Sequence, residues 1–140
     1  MKKPYVIGYT TGVFDMFHVG HLNILKKAKE RCDFLIVGIS TDELVESYKN
    51  KRPVVPFLER VQIVDSIKYV NKVVVQDHRD KFKAWEEIKF DKMFVGSDWK
   101  GSPLFSELEL KFREVNVDLE FFDYTTGTSS TLLREKLTGI

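Results

Sequence analysis

The sequence predicts an α/β fold: three layers, with helices on both faces of a central five-stranded parallel sheet. Three observations carry that prediction. Short apolar runs rich in Val, Ile and Phe recur along the chain, and their continuous apolar character suits strands covered on both faces. Between them, apolar residues return at helical spacing. Strand and helix patterns also alternate, the order that yields parallel strands joined by right-handed crossovers.

The runs at 5–9, 34–39, 70–75, 93–95 and 119–122 are the five expected strands. After the first, Leu22, Leu25 and Ala28 share one helical face; after the second, Val61, Val64 and Ile67 share another. The clearest stripe is Leu104, Leu108, Phe112 and Val115, with Glu107 four residues before Lys111 as an added pair. A last helix is expected from near Ser130 through Leu133 to Leu137. The stretch 48–56 holds two prolines and three basic residues, which suit neither a helix nor a central strand. It reads as a mobile loop over a site or as a plain surface connection.

Composition bounds the function. With 140 residues, 43% hydrophobic and 31% charged, the chain suits one domain, 1–140, with a core of its own. Lys plus Arg number 22 and Asp plus Glu 21, for a net charge of +1. No strong global field draws nucleic acid or an anionic membrane, so neither is expected as a partner. The single cysteine, Cys32, excludes an intramolecular disulfide and a multi-Cys zinc site; it is expected to pack near a helix end. The opening Met-Lys-Lys-Pro has no apolar run behind it, which predicts no signal peptide. No run approaches the roughly 20 apolar residues of a membrane span. The expected setting is cytoplasmic.

The chemistry concentrates after the first strand. Ligands in open α/β sheets bind beyond the carboxyl ends of the strands. There the chain reads Thr11-Gly12-Val13-Phe14-Asp15-Met16-Phe17-His18-Val19-Gly20-His21 and enters a helix. Gly20 keeps no side chain between a ligand and the backbone, and first-turn N–H groups with the helix dipole favour an anion. Imidazoles three apart there can both donate to one phosphate as charge builds on its oxygens. A histidine at a helix start is more often a cap or a surface residue. A metal pair is the other alternative, but His78 is the sole further histidine and no cysteine pair exists. The expectation is that His18 and His21 both act as donors and that neither is a structural cap.

These residues carry a resemblance. Gly12-Val13-Phe14-Asp15 followed by His18-Val19-Gly20-His21 is similar to the HxGH signature of the nucleotidyltransferase superfamily. More narrowly, the chain resembles the cytidylyltransferases typified by the glycerol-3-phosphate enzymes. The likeness runs from Tyr9 to Leu137. It takes in Ser40-Thr41-Asp42-Glu43, Glu59-Arg60, Lys68-Tyr69-Val70, Gly96-Ser97-Asp98-Trp99 and Gly127-Thr128-Ser129-Ser130-Thr131.

The resemblance implies a Rossmann-like three-layer sandwich and a set of roles. His18 and His21, with Lys51, are the implied catalytic groups, acting on the α-phosphate in a direct displacement without a covalent enzyme intermediate. Val13, Phe14, Asp15, Gly20, Asp98 and Trp99 are implied around the nucleotide, together with Tyr124, Thr125, Gly127, Ser129, Ser130 and Thr131. Lys49 and Arg60 are implied at the acceptor phosphate. For these positions the ordinary alternatives are solvated loop lysines, a first-turn surface arginine, a packing tryptophan and helix-capping hydroxyls. Mg²⁺ is implied with the triphosphate; no protein-bound metal is. Segment 68–75 resembles a stretch near the family's dimer interface, so a homodimer is expected.

Some positions depart from the family pattern. Tyr124 stands where an arginine is usual, Ser97 where an aspartate is usual, and Val13 where glycerol-3-phosphate enzymes often carry threonine. These bear on the base and the acceptor. The implied reaction is CMP transfer from CTP to a small phosphorylated alcohol, with glycerol 3-phosphate leading and pyrophosphate released. The rivals are an adenylyltransferase acting on a cofactor precursor and a nucleotide-binding module without turnover. Two donors aimed at a reacting phosphate speak against the last.

Overall fold

The computed structural model describes residues 5–123, apart from the side chain of Asp98. The expected last helix from Ser130 to Leu137, and the expected nucleotide residues Tyr124, Thr125, Gly127, Ser129, Ser130 and Thr131, lie outside the described residues.

Five strands are formed by β1 (Ile7–Gly12), β2 (Phe34–Ser40), β3 (Lys72–Gln76), β4 (Lys92–Gly96) and β5 (Asp118–Phe122). All pair in parallel, in the order β3-β2-β1-β4-β5. The helices are α1 (Val19–Glu30), α2 (Asp42–Lys49), α3 (Phe57–Asp65), α4 (Lys81–Ile88) and α5 (Pro103–Glu114). Leu25 and Ala28 of α1 and Val64 of α3 bury one sheet face with Leu35, Val37, Ile39 and Phe94. Ala84 of α4 and Phe105, Leu108 and Phe112 of α5 bury the other with Tyr9, Ile36 and Met93. This is the three-layer sandwich the sequence predicts.

Three expectations need correction. Not every strand is buried on both faces: β3 is an edge, with Lys72 and Val75 exposed. Two helices, α2 and α4, have no counterpart among the predicted stripes. Each is eight residues long, and each starts at a capping side chain: Thr41 accepts from Leu44 N–H and Asp80 from Lys83 N–H. Tyr48 and Lys49 therefore end a helix, and the irregular stretch begins at Asn50, whose φ of 57° breaks α2. Cys32 does pack near a helix end: its Sγ donates to Ala28 O just past α1.

The register positions the site. β1 pairs with β2 along its whole length, but with β4 only at Gly8↔Lys92 and Tyr9↔Met93. Beyond that point β1 and β4 part, bridged by Thr10 Oγ1 donating to Phe94 O at 3.0 Å. Since β2 and β4 flank β1 on opposite sides, this is the topological switch of the sheet, where a crevice opens at the carboxyl ends.

Candidate active site

A cavity of about 1110 Å³ lies over that crevice. Residues 10–15, Ser40, Gln76, Val95, Gly96 and Phe122 line it, so all five strands contribute their carboxyl ends. A smaller opening of about 390 Å³, beside Arg31, Phe105 and Glu120, includes none of the motif residues.

The loop from β1 to α1 is bent by two residues with left-handed backbone, Phe14 (φ 54°) and Met16 (φ 49°). Such non-glycine conformations cost on the order of 1–2 kcal/mol each and persist only where neighbours over-determine them. The Asp15 carboxylate accepts from Val54 N–H at 2.8 Å and Val55 N–H at 2.9 Å. Arg60 Nη1 donates to Val13 O at 2.8 Å. The Phe14 and Phe17 rings pack on the His21 ring, with centroids 5.4 and 5.3 Å away.

His18 is the N-cap of α1, which corrects the expectation that neither histidine caps. Its Nδ1 accepts from Gly20 N–H at 3.0 Å, and the His21 Nδ1 accepts from His18 N–H at 3.3 Å, completing a reciprocal capping box. The Gly20 N–H thus turns to His18, so the first turn offers a ligand fewer donors than the sequence implies. Capping does not remove the histidines from chemistry. An Nδ1 that accepts a hydrogen bond carries no proton, so each neutral ring holds its proton on Nε2. No described residue bonds either Nε2. The rings stack with centroids 4.0 Å apart, and His21 lines the cavity. Burial pushes the His18 imidazolium pKa down. Burial, then the His18 charge, push His21 to about 4 against a smaller opposing pull from Asp15. Both rings are neutral at pH 7, each with one Nε2–H to give.

Arg60 takes a position other than that expected, while Asp15 lines the cavity with its carboxylate engaged by the protein. Arg60 has no exposed surface. Its Nε donates to Val55 O at 2.8 Å, Nη1 to Val13 O and Ser40 O at 2.8 Å each, and Nη2 to Asp42 Oδ1 at 2.7 Å. A guanidinium so enclosed ties β1, β2, α2 and the 50–56 loop together and offers no face to an acceptor phosphate. Burial raises the Asp42 carboxyl, but its bonds from Arg60 and Phe57 N–H outweigh that and hold it below the usual range. Asp15, 5% exposed, likewise presents its carboxylate to the Val54 and Val55 amides, holding the basic loop to the histidine loop.

Of the remaining expected residues, Val13, Phe14, Lys49, Lys51 and Trp99 line the cavity, whereas His18 and Gly20 are not part of its lining. Arg52 also does, with its guanidinium bonded to Glu43 and Glu46, each at 3.0 Å. Trp99 is half-exposed, its ring against Phe105 at 5.4 Å. Asp98 follows β4 in a short 3-10 turn, Ser97–Trp99.

Two cations absent from the sequence reading complete the wall. Arg79 and Lys81 lie between β3 and the start of α4. The Arg79 guanidinium carbon sits 4.3 Å from the centroid of the Tyr48 ring. Burial, then neighbouring Arg79, push the Lys81 ammonium down. The Asp80 cap before a Lys-Phe-Lys start was the available signal, since it places these residues at a strand's carboxyl end. Among the described residues, no three His, Cys, Asp or Glu side chains lie close enough to share a metal ion.

Comparison with known proteins gives three kinds of match. The profile of the family described as Cytidylyltransferase-like matches residues 9–136. The glycerol-3-phosphate cytidylyltransferase of Bacillus subtilis (strain 168) is 32% identical over the whole of both chains. The FAD synthase of Archaeoglobus fulgidus is 35% identical over 78% of each. The bifunctional protein HldE of Nitratiruptor sp. is 31% identical over 97% of this chain, which spans only 28% of HldE. Among solved structures, the lipopolysaccharide core biosynthesis protein of Thermoplasma volcanium superposes with a TM-score of 0.72 at 25% identity. That match covers 89% of this chain and 99% of the other.

Proposed function

Since the chain belongs to the cytidylyltransferase-like family, we propose that it transfers CMP from CTP to glycerol 3-phosphate and releases pyrophosphate. One observation carries the chemistry: two stacked imidazoles are fixed at Nδ1 by backbone N–H groups, which leaves each Nε2 for a ligand, and the His21 ring lines the cavity. The full-length likeness to a glycerol-3-phosphate cytidylyltransferase supports the substrate pair.

In this reading an oxygen of the acceptor phosphate attacks the α-phosphorus in line. Its new P–O bond forms as the bond to the bridging oxygen breaks, and that electron pair leaves with pyrophosphate. The attacking phosphate is already anionic, so no general base is needed. The Nε2–H groups of His18 and His21 donate to the α-phosphate oxygens, where charge shifts during displacement. Lys51 neutralises the nucleotide phosphates, while Lys49, Arg79 and Lys81 face the acceptor phosphate from two walls. Magnesium has no carboxylate cluster to hold it among the described residues; it would be coordinated by the triphosphate itself, as this ion commonly is. The homodimer and the cytoplasmic setting belong to the same proposal, and light scattering in solution tests the dimer.

A second reading, adenylyl transfer to a phosphorylated cofactor precursor, is favoured by the similarity to FAD synthase. The test is pyrophosphate release with four nucleoside triphosphates crossed against a panel of phosphorylated alcohols and cofactor precursors. The expected result is fastest turnover with CTP and glycerol 3-phosphate. Preference for ATP would transfer the assignment to the second reading, and binding without turnover would leave a nucleotide-binding module.

A further inference from the structure

Tyr9 sits at the centre of the sheet, fully buried in β1, with its ring stacked on Phe90 at 4.9 Å. A core position of that kind calls for phenylalanine unless the hydroxyl has a task. The hydroxyl bonds Gln76 Oε1, and Gln76 belongs to β3, a strand that does not touch β1. The phenol therefore passes across β2. It can do so because residue 38 is glycine: a Cβ there would collide with the Tyr9 hydroxyl. Burial accordingly pushes the phenol up to about 12, so the hydroxyl stays protonated and donates.

The chain of contacts continues towards the cavity. Gln76, 3% exposed, uses its Nε2 to donate to His78 O, and its own carbonyl accepts from Thr41 N–H at 3.1 Å. The next residues are Arg79, held over the Tyr48 ring, and Lys81 at the start of α4. An edge strand would otherwise leave the turn after it free to drift, since no described strand pairs with its outer side. The buried amide is thus the fixed point from which the cationic wall is hung.

We propose that Tyr9 and Gln76 are positioning residues: a tether across β2 that sets where Arg79 and Lys81 stand and so determines affinity for a phosphate-bearing acceptor. This rests on the reading of the site as a nucleotidyltransferase with a phosphorylated acceptor.

Two variants separate positioning from plain stability. Tyr9→Phe keeps the ring and leaves Gln76 Oε1 unpaired, a loss of stability as well as of the tether. Tyr9→Phe with Gln76→Leu removes both partners, so no buried Oε1 is left unpaired, and it takes away the tether together with the bond to His78 O. The expected result is a KM for glycerol 3-phosphate raised roughly tenfold in both, the scale of one misplaced charge-assisted contact, with KM for CTP changed far less. Amide exchange across 77–81 should also quicken in both. An acceptor KM unchanged in the two folded variants would overturn the proposal. Should the wild type fail to turn over glycerol 3-phosphate, the substrate reading fails by itself. Exchange at 77–81 then decides the tether, and protection equal to wild type overturns it.

Discussion

Arg60 and Lys51 carry the same charge on neighbouring segments, and the sequence assigns both to phosphates. The structure separates them. Arg60 sits at the start of α3 where four acceptors, three of them carbonyls, converge on its planar fork. Lys51 stands on the exposed loop at the cavity edge. The difference teaches that a cation beside a phosphate site serves the ligand only where the protein leaves its donors unfilled. Removing each residue should give opposite signatures. Arg60→Met strands Asp42 and three carbonyls, so stability should fall by about 3–5 kcal/mol, the scale of a broken buried pair. Lys51→Met should stay within about 0.5 kcal/mol of wild type, as surface substitutions do. Urea unfolding of both checks this, and equal midpoints would erase the distinction.

His18 belongs on both sides of the comparison, because its Nδ1 serves the helix while its Nε2 is left for a ligand. His18→Ala removes both functions and His18→Asn restores the cap alone. Turnover should drop by roughly 10²–10³ in both, the scale for one lost donor to developing charge. Stability should fall by about 1 kcal/mol only in the alanine variant. Steady-state kinetics with thermal unfolding separates these. Asparagine turnover near the wild-type value would reduce His18 to a cap.

The sequence made the architecture legible through period. Buried strands such as β2 are continuous apolar runs, and α5 shows its stripe directly. It hid α2 and α4 because eight-residue helices give too few repeats, leaving only caps such as Thr41 and Asp80 to mark them. In the site, the histidine loop was legible because the HxGH spacing is local. The identity of the cap was not, since Nδ1 and Nε2 are one letter in a sequence. Arg60 was misplaced for a different reason: its acceptors, Val13, Ser40 and Val55, come from three segments that only the fold brings together. Arg79 and Lys81 are not legible in the sequence because edge-strand turns carry no motif of their own.

The histidines also predict a pH dependence. The folded-state value of His21, about 4, lies below its ordinary 6.5. Between those values the unfolded chain binds more protons than the folded one, so this contribution to stability is full above pH 6.5 and is lost as pH falls through about 4. The causes are burial of the ring and then the neighbouring His18 charge; a proton arriving on Nδ1 would also end its acceptance of the His18 N–H. Thermal unfolding of the wild type should weaken across that window, and His21→Gln should flatten that part of the curve. Activity should hold below pH 6.5 rather than halve there. A wild-type midpoint near 6.5 would show an imidazole as exposed to solvent as any surface histidine.

The smallest expected effect falls on Lys51 and sharpens the contrast with Arg60 from the ligand's side. A lysine on an exposed loop interacts with a triphosphate through a charge still partly hydrated, and mobile ions screen it within a Debye length of about 8 Å at physiological salt. Arg60, enclosed by fixed acceptors, has no such dependence to show. Lys51→Met should therefore lower kcat/KM for CTP by roughly tenfold, about 1.4 kcal/mol, without changing the unfolding midpoint. Added salt should weaken CTP use by the wild type more steeply than by the variant, because one screened attraction has been removed. Measuring kcat/KM for CTP across a salt series in both proteins checks it. Parallel salt slopes would place Lys51 away from the phosphates and return the loop to a plain surface connection.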